Sequence, residues 1–227
     1  EPMKPNGSLD PIMPRENYED LNELYGNYFS KALDSIGSFY FTREAFDGTY
    51  PGYGSSYPDL QGGLGLLFEQ ASSRGLKQTT AFGEITFPFT IRNQYVSSMT
   101  TLKAAVDNRQ MMRAYQKMFF DSALSRAAKD PVKAYRFSEP DRNKAKAFLE
   151  LMEHHKVAVY KEGNDYVVPT KQPQYRMVQT AFETYEKYRD SVYYDASAWS
   201  LANFYQLNYR GVSKSPSLLE PISSSDL

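Results

Sequence analysis

The sequence predicts an α/β protein, with a partial α/β/α mixed sheet in its first half and a small α/β appendage behind it. Apolar residues recur at helical spacing over long stretches. Short β-rich runs such as "VKAYRF", "KVAVYK" and "DYVVPT" stand between them. The second half then reads strand, helix, strand, strand, helix, the order of an α/β unit.

Residues 1–16 are proline-rich and read as an extended, irregular lead-in. From Asn17, the set Leu21, Leu24, Tyr25, Tyr28, Ala32, Leu33 and Ile36 falls on one helical face, and Gly37 stands where a left-handed cap would close it. A short "SFYF" strand follows, then a loop rich in Tyr, Gly and Ser, then "GLGLLFEQ" as a second strand. "EITFPFTIRN" reads as extended, with Pro88 at an edge or bend. Tyr95, Met99, Leu102, Val106, Met112, Phe119 and Ala123 trace one long amphipathic helix, able to pack across a whole sheet.

Beyond "VKAYRF", Ser138–Glu139–Pro140 looks like a helix start, with Ala145, Phe148, Leu149 and Met152 as the buried face. "KVAVYK" and "DYVVPT" are strands, and "QPQYRMVQTAFETYEKY" is a helix aligning Val178, Ala181, Phe182 and Tyr185. The chain divides into residues 1–128, an appendage at 129–212 and a Ser- and Pro-rich flexible tail at 213–227.

Composition narrows the function classes. Lys and Arg total 26 against 27 acids in 227 residues, and both signs are interspersed, so nothing favours nucleic acid as a partner. No apolar run is long enough to span a membrane. The absence of cysteine removes disulfides, thiolate metal sites and a cysteine nucleophile together. The 19 tyrosines and 14 phenylalanines suit an aromatic core, and equally flat contact faces for peptides or sugars.

Glu69 is the sharpest chemical candidate. In a strand, Leu64, Leu66 and Phe68 point one way while Gly65, Leu67 and Glu69 point the other. That places a half-buried carboxylate at a strand's C-terminal end, where crevices form in open α/β sheets and where an acid can shuttle protons. The alternative is an ion pair with a cation such as Arg74. His154 and His155 are adjacent at a helix end, poorly placed to share one metal, and no H-E-x-x-H spacing occurs. No G-x-S-x-G elbow, G-x-G-x-x-G turn or P-loop is present, so serine-hydrolase and nucleotide-binding classes are not indicated.

"YPGYGSSYPDLQGGLGLLFEQASSRG" followed by "FPFTIRNQ" resembles the second half of the catalytic domain of zinc carboxypeptidases, the carboxypeptidase A-like metallopeptidases, in a Bacteroides-type bacterial branch. "YVVPTKQPQYRMVQTAFE" and "SVYYDASAWSL" resemble the α/β region that such proteins carry behind the peptidase domain. The resemblance implies a carboxypeptidase-like sheet in residues 1–128. Glu69, at the position matching the family's Phe-Glu strand end, would be the general base and acid of peptide-bond hydrolysis. Tyr50, or alternatively Tyr53, would be the loop tyrosine that closes over a peptide substrate, and Arg74 could anchor a substrate carboxylate. The same resemblance implies zinc as cofactor and a periplasmic or secreted location.

In that branch the third zinc-binding histidine lies just upstream of an "EP…PNG" segment, and this chain opens on "EPMKPNG". No zinc ligand is therefore expected within it. The metal's holders would lie in the upstream part of the same polypeptide, which becomes a partner of this chain. The competing reading is a non-catalytic module that uses the tyrosine-rich loop 50–57 to hold peptide or glycan. The appendage resembles an amidotransferase-like fold; with no cysteine nucleophile, a structural or docking role suits it better.

Overall fold

The structure, a computed structural model, describes residues 10, 12–41, 50–182, 200–214, 216 and 220–227. It is a mixture of helices and two small antiparallel sheets.

Helix α1 (Asn22–Ser35) grows out of a π-helical turn, Asn17–Leu21, and buries Tyr25 and Phe29 on the expected stripe. Gly37 takes a φ of 63°, and the N–H groups of Gly37 and Ser38 donate to the carbonyls of Asp34 and Leu33. This pair of bonds is a Schellman closure, which needs the left-handed residue that glycine supplies at least cost. The "SFYF" segment after it forms no strand over its described residues.

A short helix, α2 (Tyr57–Leu60), follows the tyrosine-rich loop, and a hairpin of β1 (Lys77–Thr80) and β2 (Gly83–Thr86) lies beyond. Helix α3 (Phe87–Asp107) then begins where extended chain was expected. The Thr86 hydroxyl accepts from the Phe89 N–H at 3.4 Å, and Pro88 sits in the first turn. A threonine cap with proline just inside is a helix start, and here that local signal outranks proline's role as a strand breaker.

The expected single long helix is two, α3 and α4 (Arg109–Lys129), divided at Asn108 with φ −108° and ψ 18°. The Asn108 amide nitrogen donates to the Ala104 carbonyl at 2.9 Å and to the Tyr28 hydroxyl at 3.2 Å. Asparagine competes with the backbone for such bonds, and apolar spacing that continues across it does not register the break. Of the stripe assigned to this helix, Phe119 and Ala123 are buried, whereas Tyr95, Met99, Leu102 and Val106 face outward.

The appendage follows its expected order. It comprises β3 (Ala134–Ser138), α5 (Arg142–His154), β4 (Tyr160–Glu162), β5 (Asp165–Pro169), α6 (Tyr175–Phe182), α7 (Leu201–Phe204) and β6 (Asn208–Val212). The strands lie in the order β4-β5-β3-β6, each pair antiparallel. Asp141, rather than Ser138, caps α5 by accepting from the N–H groups of Asn143 and Lys144. Ala145, Phe148, Leu149 and Met152 are its buried positions, as their spacing predicts. Tyr185 lies outside the described residues.

Tyr135 and Phe137 share one face of β3, the pleat alternation carrying both into the core. Tyr135 stacks on Phe182 at 4.8 Å and Phe137 on Tyr166 at 4.9 Å, while Phe148 meets Phe137 edge-on at 5.3 Å. Residues 220–227 of the Ser- and Pro-rich tail touch the appendage. The Ile222 N–H donates to the Val159 carbonyl at 2.8 Å, and Glu153 accepts from the Ser224 hydroxyl at 3.0 Å.

One buried cluster joins these appendage rings to Met13, Leu21, Leu60, Tyr115 and Phe119 of the first half. Arg176 fastens the join. Only 1% exposed, it donates to the carbonyls of Ile12 and Phe119 and to the Ser122 hydroxyl, with its guanidinium 4.2 Å from the Phe119 ring centre. Burial draws its pKa down to about 10, so it remains charged at neutral pH. A mixed sheet in residues 1–128 is not present among the described residues, where the hairpin is the regular β-structure.

Candidate functional site

The candidate site is the tyrosine-rich loop with the segment bearing Glu69. Their relation is set by Asn17 and Asp59, which the sequence reading did not single out. Asn17 is fully buried, and its amide nitrogen donates to an Asp59 carboxylate oxygen at 3.1 Å and to the Gly63 carbonyl at 3.0 Å. The same Asp59 oxygen accepts from the Gly65 N–H at 2.8 Å. A charged acceptor of two donors in a buried setting makes a firm pin. The π-helical turn ahead of α1, the short helix α2 and the start of the Glu69 segment are therefore held as one unit. A polar residue at a buried register of an amphipathic helix was the available signal for Asn17.

Gly65 completes the clamp by having no side chain. A Cβ placed there would lie 1.9 Å from the Ser55 carbonyl oxygen, so only glycine lets the two backbones pass. The tyrosine loop and the segment leading to Glu69 are thus in direct backbone contact. Tyr50 and Tyr53 are both half-buried and stand edge to face, their ring centres 5.1 Å apart at 86°.

Leu64–Gln70 is irregular rather than the expected strand. The alternation nonetheless persists in part. Leu64 and Leu66 pack against the Tyr25, Phe29 and Ala104 cluster, and the Phe68 ring meets Phe29 edge-on at 4.7 Å. What a strand requires and this segment lacks is a neighbour, since Leu66–Gln70 make no backbone–backbone hydrogen bond among the described residues. Glu69 is exposed, not half-buried, and makes no hydrogen bond or ion pair among the described residues.

Arg74 lies five positions on, in a 3-10 turn (Arg74–Leu76), and is exposed without pairing to Glu69. The turn leaves its N–H on the Ser72 hydroxyl at 3.1 Å. The structure therefore joins the tyrosine-rich loop to the start of the Glu69 segment through the Ser55–Gly65 contact, and leaves Arg74 on the surface.

The two histidines diverge, as expected of neighbours at a helix end. His155 closes α5, is half-buried, and has its Nδ1 at 3.2 Å from the Tyr57 hydroxyl. Burial, with a smaller contribution from His154, holds its pKa below the ordinary histidine value. This contact ties the appendage to the helix α2 that carries Asp59. Among the described residues, no group of three His, Cys, Asp or Glu side chains could hold a metal ion. The described residues do not by themselves fit a zinc ion. No helix among them is long and apolar enough to cross a membrane.

Comparison with known proteins returned no matching family model, no matching curated protein and no matching solved structure.

Proposed function

We propose that this chain is the C-terminal portion of a zinc-dependent metallocarboxypeptidase, a hydrolase of peptide or related amide bonds, periplasmic or secreted. The reading is supported by the likeness of "YPGYGSSYPDLQGGLGLLFEQASSRG" to the zinc carboxypeptidases. The geometric observation that carries it is the Ser55–Gly65 contact, which fixes the tyrosine loop against the segment ending in Glu69. A proton-carrying acid and an aromatic lid must be held in mutual register, because a displacement of about 1 Å costs roughly a hundredfold in rate.

On this reading Glu69 takes a proton from the water that attacks the scissile carbonyl carbon. It then delivers that proton to the leaving nitrogen as the C–N bond breaks. An acceptor free of structural partners is available for both transfers. Tyr50, with Tyr53 beside it, covers the bound peptide and keeps bulk water from it. Arg74 approaches the peptide's terminal carboxylate. On this reading zinc, which would polarise the scissile carbonyl and activate the water, would be held by side chains outside residues 1–227, and residues 1–227 alone would be inactive.

Glu69→Gln in the full polypeptide tests this. The substitution keeps shape and removes the basic oxygen, so hydrolysis should fall by about 10²–10⁴-fold with peptide binding retained. Unchanged hydrolysis would sink the assignment. The edge-to-face Tyr50–Tyr53 pair favours a second reading, a non-catalytic module holding peptide or glycan. Under it, Glu69→Gln changes nothing and Tyr53→Ala abolishes binding.

A further inference from the structure

Helix α3 turns its polar side inward. Phe87, Ile91, Tyr95, Met99, Leu102 and Val106 are all exposed, and at 100° per residue they fall within an arc of about 120°. The inward side carries Asn93, Ser97 and Ala104. Contacts with α1 and the turn behind it hold the helix in this orientation. The Asn93 amide nitrogen donates to the Ser38 hydroxyl at 2.7 Å, while its Oδ1 is buried with no hydrogen-bond partner among the described residues. Ala104 packs with Tyr25 and Phe29, and the Tyr28 hydroxyl donates to Asp107 at 3.1 Å. The apolar stripe cannot roll inward without breaking these contacts.

Two observations say what covers it. The first is positional symmetry. The stripe residues mirror one another about a point level with Ser97: Phe87 with Val106, Ile91 with Leu102 and Tyr95 with Met99. A second copy of α3, laid antiparallel across a twofold axis at that point, sets apolar side chains against apolar side chains. The charges of the helix agree with this placement. Arg92 mirrors Thr101 and Lys103 mirrors Thr90, so no two like charges meet. Lys103 is also paired within its own helix, to Asp107 at 2.6 Å.

The second observation is area. Six large apolar side chains at this exposure leave on the order of 600 Å² in water. Two copies bring about 1,200 Å² together, where the range of stable interfaces begins. A lipid surface is the poorer fit. A helix lying in a membrane interface carries many cations on its polar side, whereas the inward side of α3 is packed against this chain and its cations are Arg92 and Lys103 alone.

From this we infer that the outward face of α3 is a homodimer interface, with the α3 helices of two copies antiparallel about a twofold axis level with Ser97. Below the dimer's dissociation constant the chain is a monomer with the stripe in water. The inference does not draw on the proposed function.

Sedimentation equilibrium of residues 1–227 tests it. The chain should dimerise with a dissociation constant below about 100 µM. Ile91→Lys and Leu102→Glu, each alone, should raise that constant by about 100-fold or more, because each homodimer then buries two unpaired charges. Mixing the two variants should restore a heterodimer, since the new ammonium faces the new carboxylate across the axis. Recombination also shows that both variants are folded. The chain has no cysteine, so a thiol can be introduced without competition. Ser98→Cys, exposed and close to the axis, should be joined to its own copy by a short bismaleimide, and this test needs no charged variant. Val106→Cys should not be joined, because its two copies lie about 28 Å apart. A wild-type monomer at about 100 µM overturns the inference, whether or not it binds vesicles of phosphatidylcholine and phosphatidylglycerol. So does a dimer indifferent to both charge substitutions. Failure to recombine by variants with wild-type circular dichroism overturns it too, as does cross-linking at Val106→Cys rather than at Ser98→Cys.

Discussion

The two halves of the chain solve the same burial problem with opposite results. In the appendage, every large ring of the β3 core face meets another: Tyr135 on Phe182, Phe137 on Tyr166 and Phe148, and all of them inside one buried cluster. In the first half, α1 and α3 pack through Tyr25, Phe29 and Ala104, while the larger apolar face of α3 stays in water. The appendage rings close on one another and on Met13, Leu21, Leu60, Tyr115 and Phe119 of the first half, whereas the outward face of α3 is exposed. The difference teaches that amphipathic spacing states how much surface must be covered without stating that the cover is present.

The largest expected contrast comes from the rings. Phe148→Ala should destabilise the protein by about 3–5 kcal/mol in urea unfolding, because the cavity opens inside a closed aromatic cluster. A loss below roughly 1 kcal/mol would mean that this core collapses easily, and the contrast between the halves would lose its basis.

Gly65→Ala probes the first half where it is tightest. The new methyl would meet the Ser55 carbonyl oxygen, a backbone atom that cannot rotate away, so a cost of about 1–3 kcal/mol in thermal or urea unfolding is expected. In the full polypeptide the same change should displace the tyrosine loop and lower hydrolysis more than it lowers stability. Unaltered stability would show that the loop and the Glu69 segment are not clamped together.

The contact between halves at His155 and Tyr57 should appear as a pH effect. The histidine's folded pKa lies below its unfolded value of about 6.5, so the unfolded state binds the proton more readily. Stability is then full above that unfolded value and declines as pH falls toward the folded pKa. Urea midpoints measured from pH 7.5 down to pH 5 should fall in the wild type, and His155→Phe should flatten that decline. An identical pH dependence in the variant would assign it to other groups.

The smallest effect is expected on the stripe itself. Ile91→Ser should change the stability of residues 1–227 by no more than about 0.5 kcal/mol, since the side chain is already in water. It should also reduce self-association in light scattering. A loss above roughly 2 kcal/mol would mean that the stripe is covered within this chain, and the two halves would then be alike.

The legible parts of the sequence were the local ones. The closure at Gly37, the buried quartet of α5, and the strand-helix-strand-strand-helix order were all readable, because caps and periodicities are set by neighbours a few positions apart. The cap on α3 was equally local, but Pro88 was read as a strand breaker when Thr86 before it marked a helix start. Among site residues, Tyr50, Tyr53 and Glu69 were singled out from their segment. Asn17 and Asp59, which hold that segment in place, were not, because their meeting spans 42 positions and has no local signature.

By itself, then, the sequence determined the closure of α1 at Gly37, the buried face of α5 and the strand-helix-strand-strand-helix order from β3 to α6, since those properties follow from backbone geometry and side-chain type within a single turn or pleat. Tertiary structure alone decided which apolar sides are covered. The stripe of Tyr95, Leu102 and Val106 lies open, Phe148 is enclosed, and Leu66–Gln70 is irregular, with no backbone ladder among the described residues. The physical reason is that burial and strand pairing are relations between distant segments, satisfied only when the second surface is brought to the first.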